Sequence, residues 1–103
     1  MQLGAVFSAA GGDADLFTAD SSFVYVVRDL VWCNDSASSM QGQVYLQSPG
    51  STQYPIIRQA SVPATTPIYW SGRQVIPSGW RLRGFGSLAS WSVLATGYKL
   101  GPL

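Results

Sequence analysis

Phe23-Val24-Tyr25-Val26-Val27-Arg28-Asp29-Leu30-Val31-Trp32-Cys33-Asn34-Asp35 is the stretch that decides the fold class. β-branched and aromatic residues dominate it, and these fit a pleated, half-buried surface. No helical spacing of apolar residues runs through it. The segment reads as one long strand, or as two strands meeting at a bulge. On a period of two, Val27, Asp29 and Val31 share one face, and Arg28, Leu30 and Trp32 share the other. Neither face is purely apolar, so Arg28-Asp29 marks a kink or an edge, and we take the two residues as an orienting charge pair.

Working outward, Asn34-Asp35-Ser36-Ala37-Ser38-Ser39 is a turn or loop. Gln43-Val44-Tyr45-Leu46-Gln47 alternates polar and apolar and stops at the turn signal Ser48-Pro49-Gly50-Ser51. Tyr54-Pro55-Ile56-Ile57-Arg58 is a strand that Pro55 confines to an edge or a strand start. Thr65-Thr66-Pro67-Ile68-Tyr69-Trp70 is again strand-like, and Ser71-Gly72 reads as a turn. Val75-Ile76 leads into Pro77-Ser78-Gly79, a tight turn with Pro suited to its second position and Gly to a positive φ. Trp80-Arg81-Leu82-Arg83 alternates, Gly84-Phe85-Gly86-Ser87 breaks the pattern, and 90–100 is the closing strand. About eight short antiparallel strands with a turn signal every 8–12 residues describe an all-β sandwich, jelly-roll or Ig-like. The Gly- and Ala-rich residues 1–14 read as an N-terminal arm, flexible or in contact with a neighbouring subunit. Residues 15–103 then form a single β-sandwich domain.

The chain of 103 residues is long enough for one domain with one core. Apolar residues make up 47% and charged residues 11%, against about 25% charged in ordinary domains. A chain this poor in charge is expected to hide part of its surface against something else. A net charge of +1 argues against nucleic acid, which calls for a basic face. No apolar stretch is long enough to span a bilayer. Met1-Gln2-Leu3 lacks the basic start of a signal peptide, so synthesis in the cytoplasm is expected. The five acids, Asp13, Asp15, Asp20, Asp29 and Asp35, precede residue 36, and five of the six bases, Arg58, Arg73, Arg81, Arg83 and Lys99, follow residue 57. Intramolecular pairing is the plainer reading. The sharper one is a head-to-tail contact between copies.

Chemistry is poorly supplied. With no His and no Glu, a Ser-His-Asp or Cys-His unit is impossible within the chain, so we expect no enzyme, no cofactor and no metal. Asp13, Asp15 and Asp20 are read as solvated loop carboxylates rather than as a calcium ladder. The single Cys33 excludes an internal disulfide and is expected as a buried, inert thiol. Trp32, Tyr45, Trp70, Trp80 and Trp91 are expected as core or interface anchors. The alternative is a carbohydrate-binding module, with Trp70, Trp80 and Trp91 as an exposed platform on which sugar rings stack.

Leu16-Phe17-Thr18-Ala19, the run from Tyr25 through Val31 to Asn34, Trp70-Ser71-Gly72-Arg73, Val75-Ile76-Pro77-Ser78-Gly79 and Thr96-Gly97-Tyr98-Lys99-Leu100 form a set of segments. Together they resemble a family of small virion structural proteins of tailed bacteriophages. They cover roughly 16–100 in the family's order. Asp20-Ser21 and Gly84-Phe85-Gly86 depart from its pattern. The resemblance implies a β-sandwich of the virion, a minor tail protein or a capsid decoration, whose partners are other copies of itself and other virion proteins.

Overall fold

The computed structural model describes residues 2–8, 11–20 and 23–100. Eight strands follow one another: β1 Gln2–Ser8, β2 Gly12–Thr18, β3 Val24–Asn34, β4 Met40–Gln47, β5 Gln53–Val62, β6 Pro67–Ile76, β7 Arg81–Gly86 and β8 Trp91–Leu100. They form two four-stranded sheets, ordered β1-β8-β3-β6 and β2-β7-β4-β5. The antiparallel pairs β1/β8, β2/β7, β3/β6 and β4/β5 are nested. The chain is thus one long hairpin, closed at the β4–β5 turn and rolled up so that β3 also meets β8 and β4 also meets β7. That is the jelly-roll order, and it decides between the two sandwich types expected.

The long strand was expected, and β3 supplies it, but its alternation is not continuous. Between Val27 and Asp29 the register slips against both neighbours. Val27 pairs with Gly97 while Asp29 pairs with Thr96, so β3 carries one residue more than β8 there. This bulge resets the period. Tyr25 and Val27 are buried before it, Leu30, Trp32 and Asn34 after it, and Arg28 and Asp29 are both exposed. Val27 and Leu30 therefore share the inner face, contrary to strict alternation.

Other boundaries also differ from the sequence reading. The stretch expected as an arm forms β1, an edge strand on β8, and the first part of β2. Its small residues allow close packing: a Cβ at Gly4 would lie 2.8 Å from the Leu16 carbonyl oxygen. Ser71-Gly72 lies inside β6, opposite the β3 bulge, where β6 carries one residue more than β3. Gly84 and Gly86 lie inside β7 rather than breaking it. Pro77 is the first residue of its turn, since Trp80 N donates to Pro77 O at 3.2 Å, and Gly79 takes φ +83°. Pro55 is on an edge strand, β5, as expected of a residue with no backbone N–H to give to a ladder.

The core lies between the sheets. Trp32 and Trp91, both 0% exposed, project from the first sheet and stack at 6.4 Å. Glycines of the second sheet make room for the two indoles. A Cβ at Gly42 would lie 2.5 Å from the Trp32 ring, and one at Gly84 would lie 2.9 Å from Trp91 Cζ3. Trp32 Nε1 donates to Phe85 O at 2.9 Å, tying the sheets across the core.

Candidate functional site

The two sheets turn unlike outer faces to the surroundings. On the second sheet, Asp13 lies beside Phe85, Asp15 beside Arg83, and Thr18 beside Arg81. Arg83 in turn lies beside Tyr45, and Arg81 beside Gln47. Asp15 contacts Arg83 Nε at 2.6 Å, off the line of its N–H, and Arg81 Nη1 at 3.6 Å. Arg83 Nη1 donates to Gln47 Oε1 at 3.1 Å. Tyr45 is 1% exposed, but it lies under this polar layer rather than in the inter-sheet core. Its hydroxyl donates to Asp13 Oδ1 at 2.7 Å. Burial, and then the hydrogen bond and charge of Asp13, push its phenol up to about 12. One early acid, Asp15, thus pairs with two late bases, Arg81 and Arg83, within the molecule at this face.

The outer face of the first sheet is different. Reading across the strands, Ala5, Leu94, Val31 and Tyr69 form one row. Phe7, Ser92, Cys33 and Pro67 form the next. Phe7 is 68% exposed, Tyr69 73% and Leu94 39%. A shallow depression of about 500 Å³ lies among them. Further along the sheet, Tyr98, Val26 and Val75 form a third apolar row, in which Val75 is exposed and Val26 is covered. Between the apolar ends runs a polar band of Thr96, Asp29 and Ser71, with Arg28 at the bulge beside it. Ser71 Oγ donates to Asp29 Oδ1 at 2.9 Å. No ion pair joins Arg28 to Asp29 among the described residues. Cys33 is half-buried on this face rather than in the core. Burial first, and the nearby Asp35 second, push its thiol up against the opposing hydrogen bond with Ser92.

A second concavity opens where edge strands β5 and β6 part. This cleft of about 380 Å³ is lined by Leu46, Tyr54, Pro55, Val75 and Trp80 among others. Tyr54 and Trp80 stack at 5.6 Å. The candidate platform is not assembled, however. Trp91 is in the core, Trp70 is turned inward and packed against the core margin, and only Trp80 reaches the cleft. Trp91 is therefore withdrawn as a glycan-facing residue, because a fully enclosed ring offers no face for stacking.

The sequence reading missed Asn34 as more than a turn residue. Its buried side-chain amide donates to Ser38 O, Val62 O and Pro63 O at 2.8, 3.0 and 3.1 Å. Its Oδ1 accepts from Ser36 N at 2.9 Å and Ser36 Oγ at 2.7 Å. The signal was there in an Asn that ends an apolar strand and opens a Ser-rich loop. Among the described residues no three His, Cys, Asp or Glu side chains gather as metal ligands, and no helix is long and apolar enough to cross a membrane.

No protein-family model and no curated protein matches the chain. Among solved structures, the chain is similar to one from the infectious bursal disease virus Gx strain, at 19% identity over 92% of this chain and 30% of that one, with a TM-score of 0.45. It is also similar to a pentameric capsid protein isolated from metagenomic phage sequences, at 14% identity over 97% of this chain and 64% of that one, TM-score 0.45. A third is the Eiger TNF of S. frugiperda, at 10% identity over 92% and 86% of the two chains, TM-score 0.43.

Proposed function

We propose that the chain is a non-enzymatic structural protein of a bacteriophage virion, present in multiple copies on the tail or as a decoration of the capsid. The observation that carries this reading is the apolar outer face of β1-β8-β3-β6, set against a second sheet whose outer face is closed by its own ion pairs and hydrogen bonds. Monomers rarely leave large contiguous apolar patches in water, and such patches mark interaction sites. The resemblance to tailed-phage virion proteins and the lack of any acid–base set point the same way. Mass spectrometry of purified particles, followed by labelling with an antibody to the chain, tests it. Stoichiometric presence at one location on the particle is expected, and absence from particles overturns the reading.

The Tyr54–Trp80 stack favours a second reading, recognition of a host surface glycan in the β5–β6 cleft. Quenching of Trp emission by cell-wall fragments, abolished by Trp80→Ala, supports it. Emission indifferent to the fragments overturns it.

A further inference from the structure

We infer that two copies of this chain dock face to face through the outer surface of β1-β8-β3-β6, with Arg28 of each set against the partner subunit's Asp29. The inference rests on the multi-copy reading above and names the surface that reading requires.

Phe7, Leu94 and Tyr69 stand on three different strands of the sheet, yet the register gathers them around one depression. Four strands about 4.8 Å apart, seven to eleven residues long at about 3.3 Å per residue, give a face of roughly 600 Å² in projection. A standard interface takes roughly 800 Å² from each partner, so one sheet face is of the right order with no other surface recruited.

Charge decides the occupant. The bulge turns Arg28 and Asp29, neighbours of opposite sign, onto this one face and into the middle of its apolar rows. An anionic lipid surface is matched by an excess of basic residues around an apolar patch, whereas here the acid Asp29 stands beside Arg28 among the apolar rows, with Arg73, exposed on β6, the further base of this face. A self-complementary surface carries both signs side by side. A two-fold axis lying in the interface across the strands, through the bulge, reverses the strand direction of the second copy. That operation brings Arg28 opposite Asp29 twice. It also lays the Phe7–Leu94–Tyr69 end of one copy on the Tyr98–Val26–Val75 end of the other. An isologous contact of this kind repeats every interaction twice. The edge strands offer less. Asp15, the acid that would face a neighbour's basic edge, is already held by Arg81 and Arg83.

The test is sedimentation velocity of the full chain over a concentration series, with the labelling rate of Cys33 by a maleimide measured alongside. Dimers are expected, with Cys33 protected as they form. Leu94→Asp and Tyr69→Asp, at exposed positions, are expected to raise the dimer dissociation constant more than tenfold with unchanged circular dichroism. Arg28→Asp sets Asp against the partner subunit's Asp29 and is expected to weaken the dimer about tenfold. The exchange Arg28→Asp with Asp29→Arg restores it to within about threefold. A chain that stays monomeric throughout, or an oligomer indifferent to Leu94→Asp and Tyr69→Asp, overturns the proposal. So does an oligomer that the charge exchange fails to rescue. Those results leave the virion role intact if the chain is found in particles. Dimers of a chain absent from particles overturn the virion role and leave the interface standing.

Discussion

Gly42→Ala adds one methyl group to β4 at the point where the Trp32 ring crosses it. The new Cβ would lie 2.5 Å from Cε2 and Cζ2 and 2.6 Å from Cη2 of Trp32. Carbon atoms in good contact are about 3.5–4.0 Å apart, so ring and backbone must separate by about 1 Å. Trp32 has no free direction in which to move. It is fully buried, stacked on Trp91, and its Nε1 is bonded to Phe85 O at 2.9 Å. A displacement of about 1 Å carries that hydrogen bond beyond useful range. Overpacking a core costs about 1–3 kcal/mol, and a buried donor left without its acceptor costs about 1–3 kcal/mol more. The middle of the combined range is about 4 kcal/mol, a large share of the roughly 5–15 kcal/mol that holds a domain folded. For a chain of this size that is a fall in Tm of about 20 °C.

Urea denaturation followed by Trp emission, and thermal melts followed by circular dichroism, read the loss directly. Gly50→Ala is the control, because a Cβ there meets nothing closer than 3.9 Å, and it is expected within about 0.5 kcal/mol of wild type. Trp32→Phe shrinks the ring that the methyl group strikes. Combined with Gly42→Ala, it should cost at least about 1 kcal/mol less than the sum of the single changes. If Gly42→Ala unfolds no earlier than Gly50→Ala, or if its cost is unchanged in the Trp32→Phe background, the packing of glycine under indole is not what holds the sheets together.

Tyr45, with its phenol pushed up to about 12, keeps its proton in the folded state where the unfolded chain releases it near pH 10. Its contribution is fully present below pH 10 and is lost as pH rises from there towards 12. Spectrophotometric titration should show the highest phenol removed by Tyr45→Phe and lowered by Asp13→Asn, which takes away the carboxylate that raises it. Asn34→Leu leaves the carbonyls of Ser38, Val62 and Pro63 without its amide. A loss of about 2–4 kcal/mol in urea titrations is expected from three weakened contacts. Asp15→Asn parts Arg81 and Arg83 from a half-exposed carboxylate. A cost of about 1 kcal/mol or less, shrinking in high salt, is expected in the same assay.

The all-β class was legible because β3, β4 and β8 carry dense β-branched and aromatic runs, and because Ser48-Pro49-Gly50-Ser51 and Pro77-Ser78-Gly79 punctuate them. β1 was not legible, since Gln2–Ser8 holds few large apolar residues and takes its order from pairing with β8. The glycines of β7 read as a break for a related reason. Local propensity disfavours Gly in a strand, but Gly84 faces an indole that joins the fold from β8, and no local pattern records that contact. The bulge was half-written: two adjacent charges inside an apolar run signal it, yet whether they face inward or outward depends on neighbours added later in the chain. The same limit applies to the aromatics. Sequence alone assigned Trp32, Tyr45, Trp70, Trp80 and Trp91 to one class, while the register sends them to the core, a polar outer layer, the core margin and a cleft.

The low charge content is better understood as a distribution than as a total. Asp13, Asp15, Arg81 and Arg83 are gathered on the outer face of one sheet, where Tyr45 and Gln47 complete their hydrogen bonding. The other sheet is left with Phe7, Leu94 and Tyr69 in the open, the Arg28–Asp29 band across its middle and Arg73 beside it on β6. Nested pairing makes such a separation possible, because β1, β8, β3 and β6 always fall on one side and β2, β7, β4 and β5 on the other. Every outward residue of a given strand therefore contributes to one face alone. A sandwich that had only to stay soluble would gain by spreading its charges over both faces. Exposed Phe and Tyr side chains in one patch are costly in water and favour association. In the proposed docking, their concentration opposite a self-satisfied polar face makes the apolar sheet the side that meets a second copy, and the ion-paired sheet the side turned to solvent.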